Sequence, residues 1–310
     1  MTVLAVVLGV ALLAFAADQF VLGAARVALI RDLSPMVVGI VIIGFGTSCP
    51  ELLVSALAAA DDRPAIAIGN IVGSNIANLS LLLGIGAFII PLVVASSTVR
   101  REAPITLAAT VAFALAVQGG GITVLEGALL LIALGLAIWK VTSGSAPDVL
   151  GSETEELASA STHRFGTEVA RTVAGLAGTV VGAQLLLWGA VDIAERAGLA
   201  QGFVGATLVA VGTSLPELVT VIQSARRREP DLIVGNLLGS NLFNALGVGG
   251  VVGLVGGMGI DEPALTGFAV IAASAVALIV LVTMIARRTV GRVEGVVLVV
   301  LYATLVPFLS

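Results

Sequence analysis

Residues 46–51 read GTSCPE and residues 212–217 read GTSLPE; residues 69–78 read GNIVGSNIAN and residues 235–244 read GNLLGSNLFN. In each copy the glutamate (Glu51, Glu217) precedes the final asparagine (Asn78, Asn244) by 27 positions, and the copies lie 166 residues apart. Of the 16 aligned positions 11 are identical, and these are mostly polar or glycine. The surrounding chain is 58% hydrophobic and 11% charged, with a mean hydropathy of +1.13. Soluble domains carry roughly 25% charged residues. A carboxylate duplicated with its polar neighbours inside apolar helices is the pattern of an ion pathway built where two repeats meet.

Outward from the motifs, apolar runs of membrane-spanning length follow one another near 2–25, 34–60, 64–92, 102–118, 122–142, 168–193, 201–225, 231–257, 264–285 and 291–309. The runs are continuous rather than alternating, and hydrocarbon admits only helices or closed barrels, so they are expected to be helices. The expected fold class is an all-α membrane protein of ten transmembrane helices, arranged as two five-helix repeats over 1–142 and 168–310. A polar, Ser-rich and acidic linker, 143–167, joins them. The first run ends in LLAFAAD, which imitates a signal-peptide cleavage site, but it lacks a basic leader. Residues 16–33 also align with 182–199, so the run reads as a retained span.

Allotting basic residues to alternate sides puts 13 of the 15 on one face, leaving only Arg63 and Arg196 on the other. The positive-inside rule makes the rich face cytoplasmic, so both termini are expected outside a plasma membrane and the linker inside. The turn Asp61-Asp62-Arg63-Pro64 corresponds to Arg227-Arg228-Glu229-Pro230, so one structural turn faces opposite sides in the two copies. Five spans per half, an odd number, require the halves to insert upside down relative to each other. This is an inverted repeat.

The single Cys49 excludes an internal disulfide, and the single His163 cannot build a metal site alone. No Ser/His or metal-ligand pair within the spans supports an enzyme, and no nucleic-acid partner is expected. Asp18 has Gln184 as its mate, so that carboxylate is not duplicated; it reads first as a structural hydrogen bond, with a gating or ion-entry role as the alternative. Asp192 and Glu195 read as interfacial, and Glu153, Glu155 and Glu156 as a solvated acidic linker without the spaced ligands of a calcium loop.

The motifs themselves are rich in hard oxygen. Pro50 and Pro216, inside spans, cannot donate backbone hydrogen bonds and are expected to free the carbonyls of Gly46 and Gly212. Thr47, Ser48, Thr213 and Ser214 add hydroxyls, and Glu51 would share a helical face with Thr47 and Ser48. Asn70, Ser74 and Asn78 fall at steps of four and make a polar stripe, as do Asn236, Ser240 and Asn244. Gly69 and Gly73, like Gly235 and Gly239, make a small-residue stripe for close helix approach. An unpaired carboxylate at mid-membrane costs about 2.5–3.5 kcal/mol on insertion scales. A cation is the natural compensation, and an all-oxygen donor set suits Na⁺ and Ca²⁺.

GTSxPE followed by GNxxGSNxxN, twice over, resembles the alpha-repeats of the cation/calcium antiporter superfamily, and among them the prokaryotic sodium/calcium exchangers. The resemblance implies that Thr47, Ser48, Glu51, Ser74 and Asn78 line the cation sites with Thr213, Ser214, Glu217, Ser240 and Asn244 as their mates. It implies exchange of one Ca²⁺ against about three Na⁺, with the first and sixth spans sliding across a fixed core. Na⁺ and Ca²⁺ are then transported partners in a lipid bilayer, with no tightly bound cofactor. Some relatives carry Asp where this chain has Asn78 or Asn244, a departure that bears on proton involvement. The alternatives are Ca²⁺/H⁺ or K⁺-dependent exchange, and after them a cation channel. A channel usually needs oligomer symmetry, whereas this chain supplies its own pseudo-two-fold and is expected to work as a monomer.

Overall fold

The computed structural model describes residues 2–31, 46–94, 102–142, 164–228, 230–256 and 264–309. The first half contributes α1 (Thr2–Ile30), α2 (Cys49–Ala60), α3 (Pro64–Ile89), α4 (Ala103–Val117) and α5 (Val124–Thr142). The second contributes α6 (Phe165–Ala197), α7 (Gln201–Thr213), α8 (Leu215–Arg227) and α9, which runs through Pro230–Phe243, Asn244–Val248 and Gly249–Gly256. Ala264–Ala269 then leads into Val270–Arg287 as α10, and α11 (Arg292–Leu305) ends in a 3₁₀ turn, Val306–Leu309. A short antiparallel pair, β1 (Leu92–Val93) and β2 (Thr289–Val290), aligns Leu92 with Val290 and Val93 with Thr289.

The 166-residue offset of the motifs reappears in the backbone. Cys49 and Leu215 open matching helices, as do Pro64 and Pro230, and π-helical turns occupy Asn78–Leu82 and Asn244–Val248 in register. Among the described residues, five helices are long and apolar enough to cross a membrane. They are Thr2–Ala24, Pro64–Ile89, Phe165–Ala197, Leu232–Gly256 and Gly267–Arg287. A sixth arises if Gln201–Thr213 and Leu215–Arg226, bent by 44° at the break between them, count as one. The part of the expected 34–60 span before residue 46, and the linker up to residue 163, lie outside the described residues. The helix expected from residue 168 begins earlier, at Phe165, and carries Glu168 in its first turn.

Two local corrections follow from the prolines. Pro50 and Pro216 do not interrupt continuous helices; each sits in the first turn of a new one. Proline is tolerated there because its missing N–H would have no intrahelical partner anyway. Nor is the Gly46 carbonyl free, since it accepts the Cys49 amide at 3.1 Å.

Polarity runs inside out relative to a soluble protein. Large apolar side chains such as Phe15, Leu125, Ile132, Trp139, Ile271 and Val297 are exposed, whereas Glu51, Asn70, Asn78, Glu217 and Asn244 are fully buried. A hydrocarbon solvent explains both facts.

Helices approach closely because small residues let them. A Cβ at Gly73 would lie 2.2 Å from the Ala206 carbonyl oxygen, and one at Gly69 2.3 Å from that of Gly202, so α3 and α7 are in backbone contact there. Gly73→Val should therefore destabilise the protein by at least the ~1–3 kcal/mol typical of overpacking. Gly135→Ala, where nothing lies within 4 Å of the added methyl, should be neutral or slightly stabilising. Thermal unfolding in detergent measures the difference; equal midpoints would show that the α3–α7 contact can relax.

The long helices α1 and α6 pack along their lengths. A Cβ at Gly175 would fall 2.4 Å from the Phe20 nitrogen, and one at Gly182 2.6 Å from that of Leu13. Polar groups fasten both ends of the pair. At one end buried Glu168 receives Arg26 and Arg171, each at 3.6 Å. At the other, Thr2 Oγ1 donates to Asp192, which also accepts Arg196 Nε at 2.9 Å. Glu195 meets Arg63 at 3.2 Å, joining α6 to the turn between α2 and α3. Asp18 is exposed and accepts the side-chain amide of Gln19 at 3.0 Å.

Candidate cation-binding site

The two motifs meet where α2 and α8 begin, flanked by α3 and α9. Glu51 and Glu217 each occupy the first turn of their helix. Unpaired backbone N–H groups and the positive end of the helix dipole favour an anion at that position.

The hydroxyls do not serve the glutamate of their own motif. Ser214 Oγ donates to Glu51 Oε1 at 3.0 Å, and Ser48 Oγ donates to Glu217 Oε1 at 3.5 Å. This corrects the expectation that Ser48 and Glu51 work together on one helical face: the chain turns at residues 46–48 before α2 starts, which carries Ser48 across to the other copy. The threonines cross in the same sense. Thr213 Oγ1 donates to Asn70 Oδ1 at 3.1 Å, and Thr47 Oγ1 to Asn236 Oδ1 at 3.5 Å. Four bonds related by the 166-residue offset thus stitch one half to the other, and neither half has a complete site of its own.

The remaining expected residues divide in two. Ser240 Oγ lies 3.4 Å from Thr47 Oγ1, and Ser74 Oγ donates to the Ala210 carbonyl at 3.5 Å, so both touch the opposite copy. Asn78 and Asn244 open the two π-helical turns and are fully buried, yet among the described residues neither amide nitrogen nor oxygen has a hydrogen-bond partner. Glu51 Oε2 and Glu217 Oε2 are likewise buried without a partner. A buried polar atom left unpaired costs about 1–3 kcal/mol, and an uncompensated buried charge costs more. Four oxygens from two carboxylates and two amides remain available, beside the hydroxyls. Among the described residues no three His, Cys, Asp or Glu side chains cluster, so a bound ion would complete its shell with neutral oxygens. Hard cations accept such a mixed set, and Ca²⁺ takes 6–8 oxygen ligands.

Four residues escaped the sequence reading in their actual roles. Asn70 is a knot rather than one more stripe residue: its Nδ2 donates to Ser55 Oγ at 2.9 Å and to the Glu51 carbonyl at 3.4 Å while its Oδ1 accepts Thr213. Ser55 has Val221 as its mate, so repetition could not flag it. Asn75 and Asn241 are linked through Asn241 Nδ2 and the Asn75 carbonyl at 3.0 Å, tying α3 to α9. Their signal was present, since both fall among the identical positions of the two motifs.

The comparisons give the family. The family described as "Sodium/calcium exchanger protein" matches residues 1–142 and 168–310. A protein of Alkalimonas amylolytica named as an antiporter, CaxA, is 37% identical over 304 residues, covering 96% of this chain and 95% of its own length. The sodium/calcium exchanger MaX1 of Methanosarcina acetivorans is 29% identical over 339 residues, with 96% and 95% covered. A solved structure of the sodium-calcium exchanger NCX_Mj superposes with a TM-score of 0.68 at 30% identity, covering 99% of both chains. With both halves matched by the family and a 37% identical relative aligned over nearly the whole chain, this chain is a member of the sodium/calcium exchanger protein family.

Proposed function

We propose that the protein is an antiporter that exchanges Na⁺ for Ca²⁺ across the plasma membrane at one site shared by its two halves. The observation that carries this reading is the reciprocal pairing of Ser48 with Glu217 and Ser214 with Glu51, beside unpartnered oxygens on both glutamates, Asn78 and Asn244. In this reading Glu51 and Glu217 supply the charge, Thr47, Ser48, Thr213, Ser214, Ser74 and Ser240 supply hydroxyl oxygens, and Asn78 and Asn244 supply amide oxygens. Two carboxylates give the site a charge of −2, which one Ca²⁺ or several Na⁺ can neutralise. The unloaded site keeps its charge and crosses poorly, which makes exchange obligatory. If three Na⁺ move against one Ca²⁺, one net charge crosses, worth about 2.3 kcal/mol per 100 mV.

The architecture that suits this is ten spans in two inverted five-helix repeats, working as a monomer. Both termini are extracytoplasmic, and the segment between the halves is cytoplasmic. The α1/α6 pair, held together by glycine contacts and polar clamps at both ends, would move as one body past the site to give alternating access.

Uptake of ⁴⁵Ca²⁺ into proteoliposomes loaded with Na⁺, Li⁺, K⁺ or only a pH gradient tests the proposal. Outward Na⁺ gradients should drive saturable uptake, while Li⁺ and K⁺ should not. Uptake driven by the pH gradient but not by Na⁺ would replace it with Ca²⁺/H⁺ exchange. Flux that needs no ion on the opposite side would make the protein a channel.

A further inference from the structure

The 166-residue offset also relates the contacts that the two long helices make. It carries Thr2 onto Glu168 and Arg26 onto Asp192. The Thr2–Asp192 hydrogen bond and the Arg26–Glu168 ion pair are therefore one contact in two copies, and both lie within the α1/α6 pair. Two polar contacts tie this pair to the rest of the molecule, and both come from α6. Gln184 Nε2 donates to Asp61 Oδ2 at 3.4 Å, and Glu195 meets Arg63 at 3.2 Å. Asp61 and Arg63 belong to the turn between α2 and α3, so α6 is fastened to that turn at two points.

The same offset names the residues that correspond on the other face. Gln184 maps onto Asp18 and Asp61 onto Arg227, so an amide against a carboxylate becomes a carboxylate against an arginine. Glu195 and Arg63 map onto Leu29 and Glu229, which cannot form an ion pair. Asp18 is exposed within the span Thr2–Ala24, and among the described residues its hydrogen bond is to its neighbour Gln19. An ionisable side chain inside a span is costly unless it finds a partner or faces water. The turn that holds residue 227 is basic, with Arg226 and Arg228 exposed on either side of it.

In an inverted repeat, a conformation in which α6 leans on the turn of the first half has an opposite in which α1 leans on the turn of the second half. The mates then make the corresponding contact. From this we infer that Asp18 is a latch residue. In the opposite-facing state it docks on the Arg227-Arg228 turn, whereas Asp61–Gln184 and Arg63–Glu195 hold the state described here. The inference rests on the antiport reading and deepens it by naming the contacts that change as access alternates. Contacts of this exposed kind are weak, which suits a device that must break in every cycle. The clamps within the pair stay closed throughout.

Cysteine pairs in the whole protein test this in proteoliposomes with a cleavable bifunctional thiosulfonate, in a Cys49→Ala background whose own Na⁺-driven ⁴⁵Ca²⁺ flux is the reference. Thr2→Cys/Asp192→Cys, within the pair, should cross-link with flux retained. Asp61→Cys/Gln184→Cys should cross-link and lose flux, which returns when the reagent is cleaved. Asp18→Cys/Arg227→Cys should also cross-link and lose flux reversibly. Arg63→Gln, which opens the ion pair of the first latch, should speed the 18–227 cross-link about two- to five-fold. Without any reagent, Asp18→Asn should slow flux and Asp18→Glu should keep it. The inference is overturned by no 18–227 cross-link where 61–184 forms, or by flux that survives either of these. Flux lost on the 2–192 cross-link, an 18–227 rate unmoved by Arg63→Gln, or normal flux in Asp18→Asn would overturn it as well. In each of these cases Na⁺-driven flux in the untreated background leaves the antiport reading standing. No Na⁺-driven uptake by wild type would strike that reading and this inference with it.

Discussion

Glu51→Gln and Glu217→Gln should each abolish Na⁺-driven Ca²⁺ transport while the protein still inserts and folds. Each glutamate is fully buried, bonds through Oε1 to a serine of the other half, and leaves Oε2 unpaired. The ion pairs found in the described residues involve neither carboxylate, so glutamine breaks no salt bridge. It keeps the shape and can still accept the serine hydroxyl. What it removes is the charge that attracts a cation. A unit charge pair at 4 Å is worth about 4 kcal/mol at an effective dielectric of 20, nearly three orders of magnitude in affinity. The two variants should fail alike because the serines cross between halves, so either substitution damages the same site. Flux in proteoliposomes and monodispersity in detergent measure the two halves of the prediction. Near-normal transport in either variant would remove that glutamate from the site.

Asn70→Ala should be far more damaging than its symmetry mate Asn236→Ala. Asn70 makes three bonds, to Thr213, Ser55 and the Glu51 carbonyl, all buried. Among the described residues Asn236 only accepts Thr47, at 3.5 Å, and its amide nitrogen is unpartnered. Truncating Asn70 removes all three bonds and loosens the turn that aims Glu51, although the Thr213 and Ser55 hydroxyls keep the Ala210 and Ala67 carbonyls. At about 0.5–1.5 kcal/mol per hydrogen bond lost, a loss of about 2–4 kcal/mol and a more than tenfold fall in flux are expected. Asn236→Ala should cost about 1 kcal/mol or less. Unfolding midpoints and initial ⁴⁵Ca²⁺ rates make the comparison, and equal effects would mean that the asymmetry of the hydrogen bonds has no energetic weight.

The helical membrane character, the 166-residue repeat and the polar residues that meet between the halves were legible in the sequence because polarity is scarce in this chain. When 58% of residues are hydrophobic, a polar residue kept in both copies stands out without an alignment. Periodicity could not say who bonds to whom. The pairing of Ser48 with Glu217 depends on the turn at 46–48 and on how the two halves meet, both tertiary facts. The prolines misled for a related reason: Pro in an apolar run reads as a kink in one helix, whereas here it opens a second one. The burial of Glu168 had no sequence signal, because its partner Arg26 is distant in sequence and belongs to the other half.

The central claim is that both halves build one site for which Na⁺ and Ca²⁺ compete. Calorimetric titration of Ca²⁺ into the purified protein in Na⁺-free detergent buffer tests it most directly, repeated with NaCl and with LiCl, and then with Glu51→Gln and Glu217→Gln. The account predicts one Ca²⁺ per chain, weakened by NaCl but not by LiCl, and lost in both variants. Two Ca²⁺ per chain, with one surviving in each single variant, would contradict it, because each half would then hold a site of its own.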